Sequence, residues 1–201
     1  RHIRTLVDDP VLAFQINLHM DSLEQLEQAV AAVEAQINCS GAPLLRQIDI
    51  LTSMRGISVF GAIAVLADVI DVHRFATSKK FAAYLRSTPR VESSNERSII
   101  KSTNKAGRKL SITLLSQSLN HFRDSNPKLH RWYERLSQYK KKGLLRMGLC
   151  RRVITEIYQM LKKGEYHYAR DERNHRKKMS EYLSFLESRQ VAFEQNLAIA
   201  A

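Results

Sequence analysis

Apolar side chains recur along this chain at spacings of three and four, and the first such run is the longest. From Leu12 to Ile37 they fall at Leu12, Ile16, Leu23, Leu26, Val30, Val33 and Ile37. This is a heptad seam, broken only at His19, where the alternation expects another apolar residue. Such a stripe either packs on its own domain or pairs a protruding helix with another chain. Ser40-Gly41 then signals a turn, and Pro43 stands near the start of a short helix carrying Leu44, Leu45, Ile48 and Leu51 and ending at Met54. The next stretch, MRGISVFGAIAVLADVI, reads as a helix end, a very short turn and a second helix. Gly56 is free to take positive φ there, and Ser58 is placed to cap the helix that follows.

The turn Arg55-Gly56-Ile57-Ser58 resembles the helix-hairpin-helix motif, whose usual Pro-Gly-Ile-Gly turn presents backbone N–H groups to a DNA phosphate. Here Arg55 replaces the proline and Ser58 the second glycine, so a plain helical hairpin is the competing reading. A further short helix is predicted from Thr77 to Leu85, with Thr77 or Ser78 as cap. A helix through Leu110, Leu114, Leu115, Leu119 and Phe122 ends at the cluster Asp124-Ser125-Asn126-Pro127. Another runs from Pro127 to about Tyr139, and Leu144 to Lys163 carries a core seam of Leu145, Leu149, Val153, Ile157 and Leu161. The last starts near Arg170, basic at first and amphipathic afterwards.

Between the helices lies Ser87–Gly107, STPRVESSNERSIIKSTNKAG, almost without apolar content. It holds the hydroxyls of Ser87, Thr88, Ser93, Ser94, Ser98, Ser102 and Thr103 and the cations Arg90, Arg97, Lys101 and Lys105. Structureless connections this long are uncommon and are either functional or disordered. Apart from a short hairpin that Val91 and Ile99-Ile100 would allow, no segment alternates with period two. The predicted fold class is therefore all-α: a helical domain with a helix-hairpin-helix-like element, preceded by a coiled-coil-like helix and interrupted by a long polar loop.

Charge sharpens this picture. The chain of 201 residues has a net charge of +12, but residues 1–73 carry −5, residues 74–178 carry +19 and residues 179–201 carry −2. So concentrated a positive surface is the footprint of a polyanion, because each neutralised phosphate releases condensed counterions. Nucleic acid is the expected partner, and an anionic membrane surface the lesser alternative. No apolar run approaches the length of a membrane span, and the first residues lack the pattern of a secretory signal. A soluble cytoplasmic protein, associated with the nucleoid of a bacterium or archaeon, is expected. Cys39 and Cys150 are too few and too isolated for a disulfide framework or zinc cluster.

Much familiar chemistry has no counterpart in the sequence. The seven histidines are scattered, and His167 and His175 flank a basic run better suited to phosphate than to metal. Phosphate-binding Walker loops, dinucleotide fingerprints and nucleophile elbows are missing as well. Hydroxyl chemistry among arginines remains. A serine can attack a DNA phosphodiester and hold the strand as a phosphoserine ester when neighbouring cations neutralise the transition state. Arginine suits that task through its bidentate match to phosphate oxygens. Taken alone, a serine in a polar segment is more often a turn former or helix cap.

The order of these features resembles a known family. MRGISVFGAIAVLADVIDVHRFATSKKFAAYLRSTPRVESS, then KAG, WYERL, KKKG and RRVITEIYQMLKKGEYH, is similar to the C-terminal transposase domain of the IS-one-hundred-and-ten family of insertion-sequence transposases, which includes the pilin-gene invertases. The likeness covers roughly Leu51 to His167. In that family an Asp-x-x-Arg-Phe box, here Asp71-Val72-His73-Arg74-Phe75, precedes a Tyr-Leu-Gly-Leu-x-Pro box, here Tyr84-Leu85-Arg86-Ser87-Thr88-Pro89. Five residues after the proline comes the serine of a Ser-Gly pair, regarded as the recombination nucleophile. Counting from Pro89 gives Ser94, with Ser93 its runner-up. Asn95 stands where the family has Gly, Arg86 replaces another Gly, and Arg108 follows Gly107 where Asn is usual.

The resemblance implies a DNA transposase or site-specific recombinase, cutting and rejoining DNA through a serine. It implies an N-terminal RNase-H-like domain with magnesium-binding acids, for which residues 1–21 supply no counterpart. The present chain is thus expected to be a C-terminal part, inactive alone and without a metal or cofactor of its own. A structured guide RNA and a homo-oligomer, dimer or tetramer, are the further partners implied, with no membrane. Residues 1–40 would be the linking and assembly helix, 41–168 the serine-bearing domain, and 169–201 the C-terminal helix. Arg90, Arg97, Lys101, Lys105, Arg108 and Lys109 would hold the scissile phosphates and neighbouring strand. Arg151, Arg152, Lys162 and Lys163 would hold more distant backbone or RNA, and Arg55, Gly56 and Ser58 would contact DNA through the helical turn. The rival reading is a non-catalytic helical DNA- or RNA-binding module in which Ser94 only shapes a turn.

Overall fold

The computed structural model describes residues 9–94, 97–103 and 107–200, with strand residues 89–94 and 97–103 and helix residues 190–200 as backbone only. The chain divides into two compact units, Arg1–Ser40 and Gly41–Ala201. The sequence-based division at residue 168 falls inside the second.

Among its described residues the first unit holds one helix, α1 (Pro10–Ser40). Pro10 suits the first helical position, and the Asp9 carboxylate accepts from the Val11 N–H at 2.9 Å. None of its residues is buried. Along the seam Leu23, Leu26, Val30 and Val33 are each more than half exposed.

The second unit opens with a 3-10 turn, Ala42–Leu44, and continues into α2 (Leu45–Thr52). α3 (Val59–Val69) follows a tight turn, and Ser58 caps it by accepting from the Gly61 N–H at 3.0 Å. Such a cap contributes about 1 kcal/mol. A second 3-10 turn, Val72–Arg74, leads to α4 (Ser78–Tyr84), capped by the Thr77 hydroxyl on the Lys80 N–H. The predicted helix between Leu110 and Phe122 is two helices, α5 (Leu110–Gln117) and α6 (Leu119–Ser125), divided at Ser118. Ser116, Gln117 and Ser118 interrupt the apolar run there, and serine offers the backbone alternatives to helical bonding. The apolar positions Leu115, Leu119 and Phe122 are buried on both sides of the break. α7 (Pro127–Ser137) starts at Asn126, whose side chain accepts from the Lys128 and Leu129 N–H groups.

α8 (Lys142–Lys163) is the central helix, with α2, α4, α5, α6 and α7 packed around it. Its predicted seam is buried throughout: Leu145, Leu149, Val153, Ile157 and Leu161. Against it lie Phe81 and Leu85 from α4 and its cap and Ile48 and Leu51 from α2, all fully buried. Phe81 meets the edge of Phe75 at 5.2 Å, and the Tyr158 hydroxyl of α8 donates to the Phe75 carbonyl at 3.0 Å. α8 stops at Gly164, which takes the left-handed conformation at φ 70°.

The chain then returns to α2 before entering α9 (Glu172–Ala200). The Tyr166 hydroxyl donates to Asp49 at 2.5 Å, and His175 Nε2 lies 3.0 Å from the Asp49 carboxylate. His167 Nε2 lies 2.9 Å from Glu156. Both histidines are only 6% exposed and face inward, each against a carboxylate, while Arg173, Arg176 and Lys177 of the basic run between and beside them are exposed.

The polar stretch is likewise not a loop. It forms an antiparallel hairpin of β1 (Pro89–Ser94) and β2 (Arg97–Thr103), with Val91 paired to Ile100 and Glu92 to Ile99. The register shifts between Pro89 and Val91, as a bulge or irregularity would require. The fold class remains all-α apart from this one ribbon among the described residues. No helix among them is long and apolar enough to cross a membrane.

Candidate nucleic-acid interface at the foot of the hairpin

The hairpin leaves the domain immediately after α4. Leu85 caps that helix, and Arg86 takes φ 56°, in the left-handed region. The Ser87 N–H returns to the Ala82 carbonyl at 2.9 Å and the Arg86 N–H to the Ala83 carbonyl at 3.1 Å. This pair of bonds is the Schellman arrangement, whose left-handed position is normally glycine. Arginine there costs about 1 kcal/mol in backbone strain. The buried Ser87 hydroxyl adds a third tie, donating to the Ala82 carbonyl at 3.0 Å.

The returning strand is held just as closely. Gly107 has φ 102°, and a Cβ on it would run into the Tyr84 carbonyl oxygen. That contact lets the Arg108 N–H donate to the same carbonyl at 3.2 Å, while Arg86 Nε donates to the Gly107 carbonyl at 2.6 Å. The two ends of the hairpin are thereby pinned to one helix terminus. The link to α5 comes from Asp68 of α3, a buried carboxylate that accepts from the Ser111 N–H at 2.9 Å and the Ser111 hydroxyl at 2.7 Å.

Tyr84 is the centre of this foot. Its hydroxyl donates to the Asp68 carbonyl at 3.0 Å. Hydrogen bonds from Arg108 and then Arg74 hold its pKa below the ordinary phenol value, against the opposing effect of desolvation. The bond to Tyr84 correspondingly raises the pKa of Arg108. The Arg74 guanidinium lies 4.6 Å from the ring centroids of both Phe75 and Tyr84. Arg74, Arg86 and Tyr84 were not among the interface residues read from the sequence. The one available signal was Arg86 itself, a large cation where a helix end calls for glycine.

The predicted residues fall into separate groups. Ser94 is the last residue of β1, paired with Arg97, the first of β2, and so stands at the turn end of the hairpin; Ser93 pairs with Ser98. Arg90 and Lys101 lie on the two strands, described as backbone only. Lys105 lies outside the described residues. Arg108 and Lys109 are exposed where the hairpin meets α5.

The α2–α3 turn forms a second group. Gly56 has φ 105° and packs on Phe122, where a Cβ would not fit. Gly56, Ser58 and Gly61 border a groove shared with Leu114 and Ser118. Arg55 lies 3.9 Å from Asp171. The turn carbonyls are covered from α9, because Lys178 Nζ donates to Ile57 at 2.9 Å and to Thr52 at 3.5 Å. Burial, followed by repulsion from Arg55, lowers the pKa of that lysine.

A third group lies on α8. Arg151 and Arg152 are exposed, and Arg152 stacks 4.5 Å from the Trp132 ring of α7. Lys162 and Lys163 are exposed at the end of the same helix, Lys163 within 3.8 Å of Glu165. Among the described residues, no three His, Cys, Asp or Glu side chains group so as to hold a metal ion.

A polar hairpin rooted among arginines in a helical domain is an arrangement suited to handling a nucleic-acid strand. Residues 48–134, from α2 through the hairpin into α7, match the Transposase IS116/IS110/IS902 family. It is also similar to the transposase for insertion sequence element IS1111A of Coxiella burnetii (strain RSA 493 / Nine Mile phase I), with 25% identity over 117 residues. That match covers 56% of this chain and 32% of the relative, so the chain spans about a third of the length of the curated relative it matches.

Proposed function

We propose that this chain is the serine-bearing part of a DNA transposase or recombinase, with Ser94 as nucleophile. The observation that carries the reading is the position of Ser94 at the turn end of a hairpin whose two ends are pinned among arginines, within a transposase-family domain. In the proposed step the Ser94 Oγ bonds to phosphorus as the bond from phosphorus to a deoxyribose oxygen breaks. The serine proton passes to a base, the departing oxygen takes up a proton, and reversal of the step rejoins a strand. One phosphate ester replaces another, so no external energy source is needed. Arg90 and Arg97, on the hairpin itself, serve to neutralise the charge that develops on the phosphoryl oxygens, and Arg108 at its foot holds the neighbouring strand.

The magnesium implied by the resemblance would sit in a further domain, and every role assigned here belongs to this chain's own side chains. The exposed seam of α1 suits assembly of two or more copies, which would bring that domain and Ser94 into one site. A structured RNA selecting the DNA site is part of the same reading, with Arg151 and Arg152 as its contacts.

The test is Ser94→Ala in the protein that carries both this chain and the further domain, acting on supercoiled DNA with element ends. Recombination and the covalent protein–DNA product should vanish while binding persists. Recombination that survives both Ser94→Ala and Ser93→Ala would refute the nucleophile and favour the non-catalytic binding module.

A further inference from the structure

The structure assigns a DNA phosphodiester-binding site to Arg74, Arg86 and Arg108, gathered around Tyr84 at the foot of the hairpin. This rests on the reading of the chain as a DNA-handling transposase domain and adds where, away from the hairpin's turn, the strand is gripped.

Charge comes first. Two guanidiniums meet the Tyr84 side chain, Arg74 over its ring and Arg108 at its hydroxyl, and a third, Arg86, is held on the Gly107 carbonyl beside it. No ion pair with a described carboxylate engages any of them. The nearest buried acid, Asp68, directs one carboxylate oxygen to both donors of Ser111. Asp71, close in sequence to Arg74, accepts from the His73 N–H at 2.8 Å. Asp68 still acts on Arg108 through space, but three guanidiniums around one buried carboxylate leave an excess of positive charge among the described residues that suits an anion.

The guanidiniums are also preorganised. Stacking on Phe75 and Tyr84 sets the plane of Arg74, and its bond to the Tyr84 side chain engages only part of its fork of N–H donors. The bond from Nε to Gly107 orients Arg86 in the same way. Side chains already ordered lose less freedom on binding.

Strain marks the same residue. Arg86 occupies a left-handed helix-end position that glycine would fill without steric strain, so apart from its bond to the Gly107 carbonyl nothing in local folding favours arginine there. Strained backbone of this kind clusters where a side chain serves binding or catalysis. The chemistry selected is a phosphate oxygen pair, which the planar fork of arginine matches and which carries no base identity.

The experiment measures binding of a labelled 30-base-pair DNA duplex against salt concentration for the 201-residue chain and for Arg74→Ala, Arg108→Ala and Arg86→Gly. Each variant should weaken binding several-fold and reduce the slope of log K against log salt by about 1, the value expected for one lost phosphate contact. Arg86→Gly should do so while changing the melting temperature little, because relief of backbone strain offsets the lost bond to the Gly107 carbonyl, a combination that a purely structural arginine does not produce. Arg176→Ala is the control, since Arg176 already pairs with Glu172 on an exposed face, and its slope should match the parent. Variants that keep the parent's slope overturn the site and leave the recombinase reading intact. A parent that fails to bind, or binds without salt dependence, overturns both. Loss confined to a structured RNA competitor overturns the assignment to DNA. Slopes that fall as expected while Ser94→Ala still recombines would retain the site and remove the nucleophile.

Discussion

α1 and α8 are the two long helices whose apolar seams were read most directly from the sequence, and they meet opposite fates. α8 buries nine residues and has five helices packed around it. α1 is longer, carries a more regular heptad stripe and buries none. Periodicity therefore identifies a face but not what covers it. The difference lies in the surroundings: α8 is preceded in sequence by short helices that fold back against it, whereas α1 is a unit of its own.

The largest expected contrast is chemical. Cys39 of α1 is partly exposed and Cys150 of α8 is fully buried. Burial raises the Cys150 pKa to about 12. The neutral thiol is therefore the form present below that pH, and at pH 8 only ~1 in 10,000 copies would be the reactive thiolate. Alkylation by iodoacetamide, followed by mass spectrometry, should label Cys39 and spare Cys150 until the protein unfolds. Equal labelling would show that α8 is not the centre of a packed core.

The next contrast is in stability. Phe81→Ala, at the α4–α8 contact, should cost about 3–5 kcal/mol in denaturant unfolding. Leu26→Ala on the exposed seam of α1 should change stability by less than about 0.5 kcal/mol. A large loss from Leu26→Ala would mean that the α1 seam is covered in solution, and a fall in oligomer size on Leu26→Asp, measured by sedimentation, would identify another copy as the cover.

The hairpin foot gives two smaller, unequal effects. Gly107→Ala forces a left-handed alanine against the Tyr84 carbonyl, and together these should cost about 1–3 kcal/mol. Arg86→Gly relieves about 1 kcal/mol of the same kind of strain but gives up the bond to the Gly107 carbonyl, so it should change stability by less than about 1 kcal/mol. If both lower stability equally, Arg86 is a structural residue and its φ is not a strain held for binding.

Local features were well represented in the sequence. The caps at Ser58 and Thr77, the positive φ at Gly56 and the buried face of α8 each depend on residues within a turn or two of one another. The polar stretch was harder to read, because one Val–Ile pair is a weak strand signal among so many hydroxyls and charges. The single helix expected from Leu110 to Phe122 failed for a related reason: a continuous apolar face survives a break at Ser118, so periodicity alone does not register it. The inward turn of His167 and His175 depends on Glu156 and Asp49, the latter over a hundred residues away in the chain.

The sequence by itself determined which segments are helical, which faces are apolar, where the charge concentrates and how far Ser94 lies from Pro89. Those properties follow from side-chain spacing and local backbone preference. Only the tertiary structure decided that Arg74, Tyr84, Arg86 and Arg108 meet at one point and that Asp68 ties α3 to Ser111. The physical reason is that these groups are brought together by the close approach of two backbones at Gly107, and no local pattern encodes which distant carbonyl a glycine will touch.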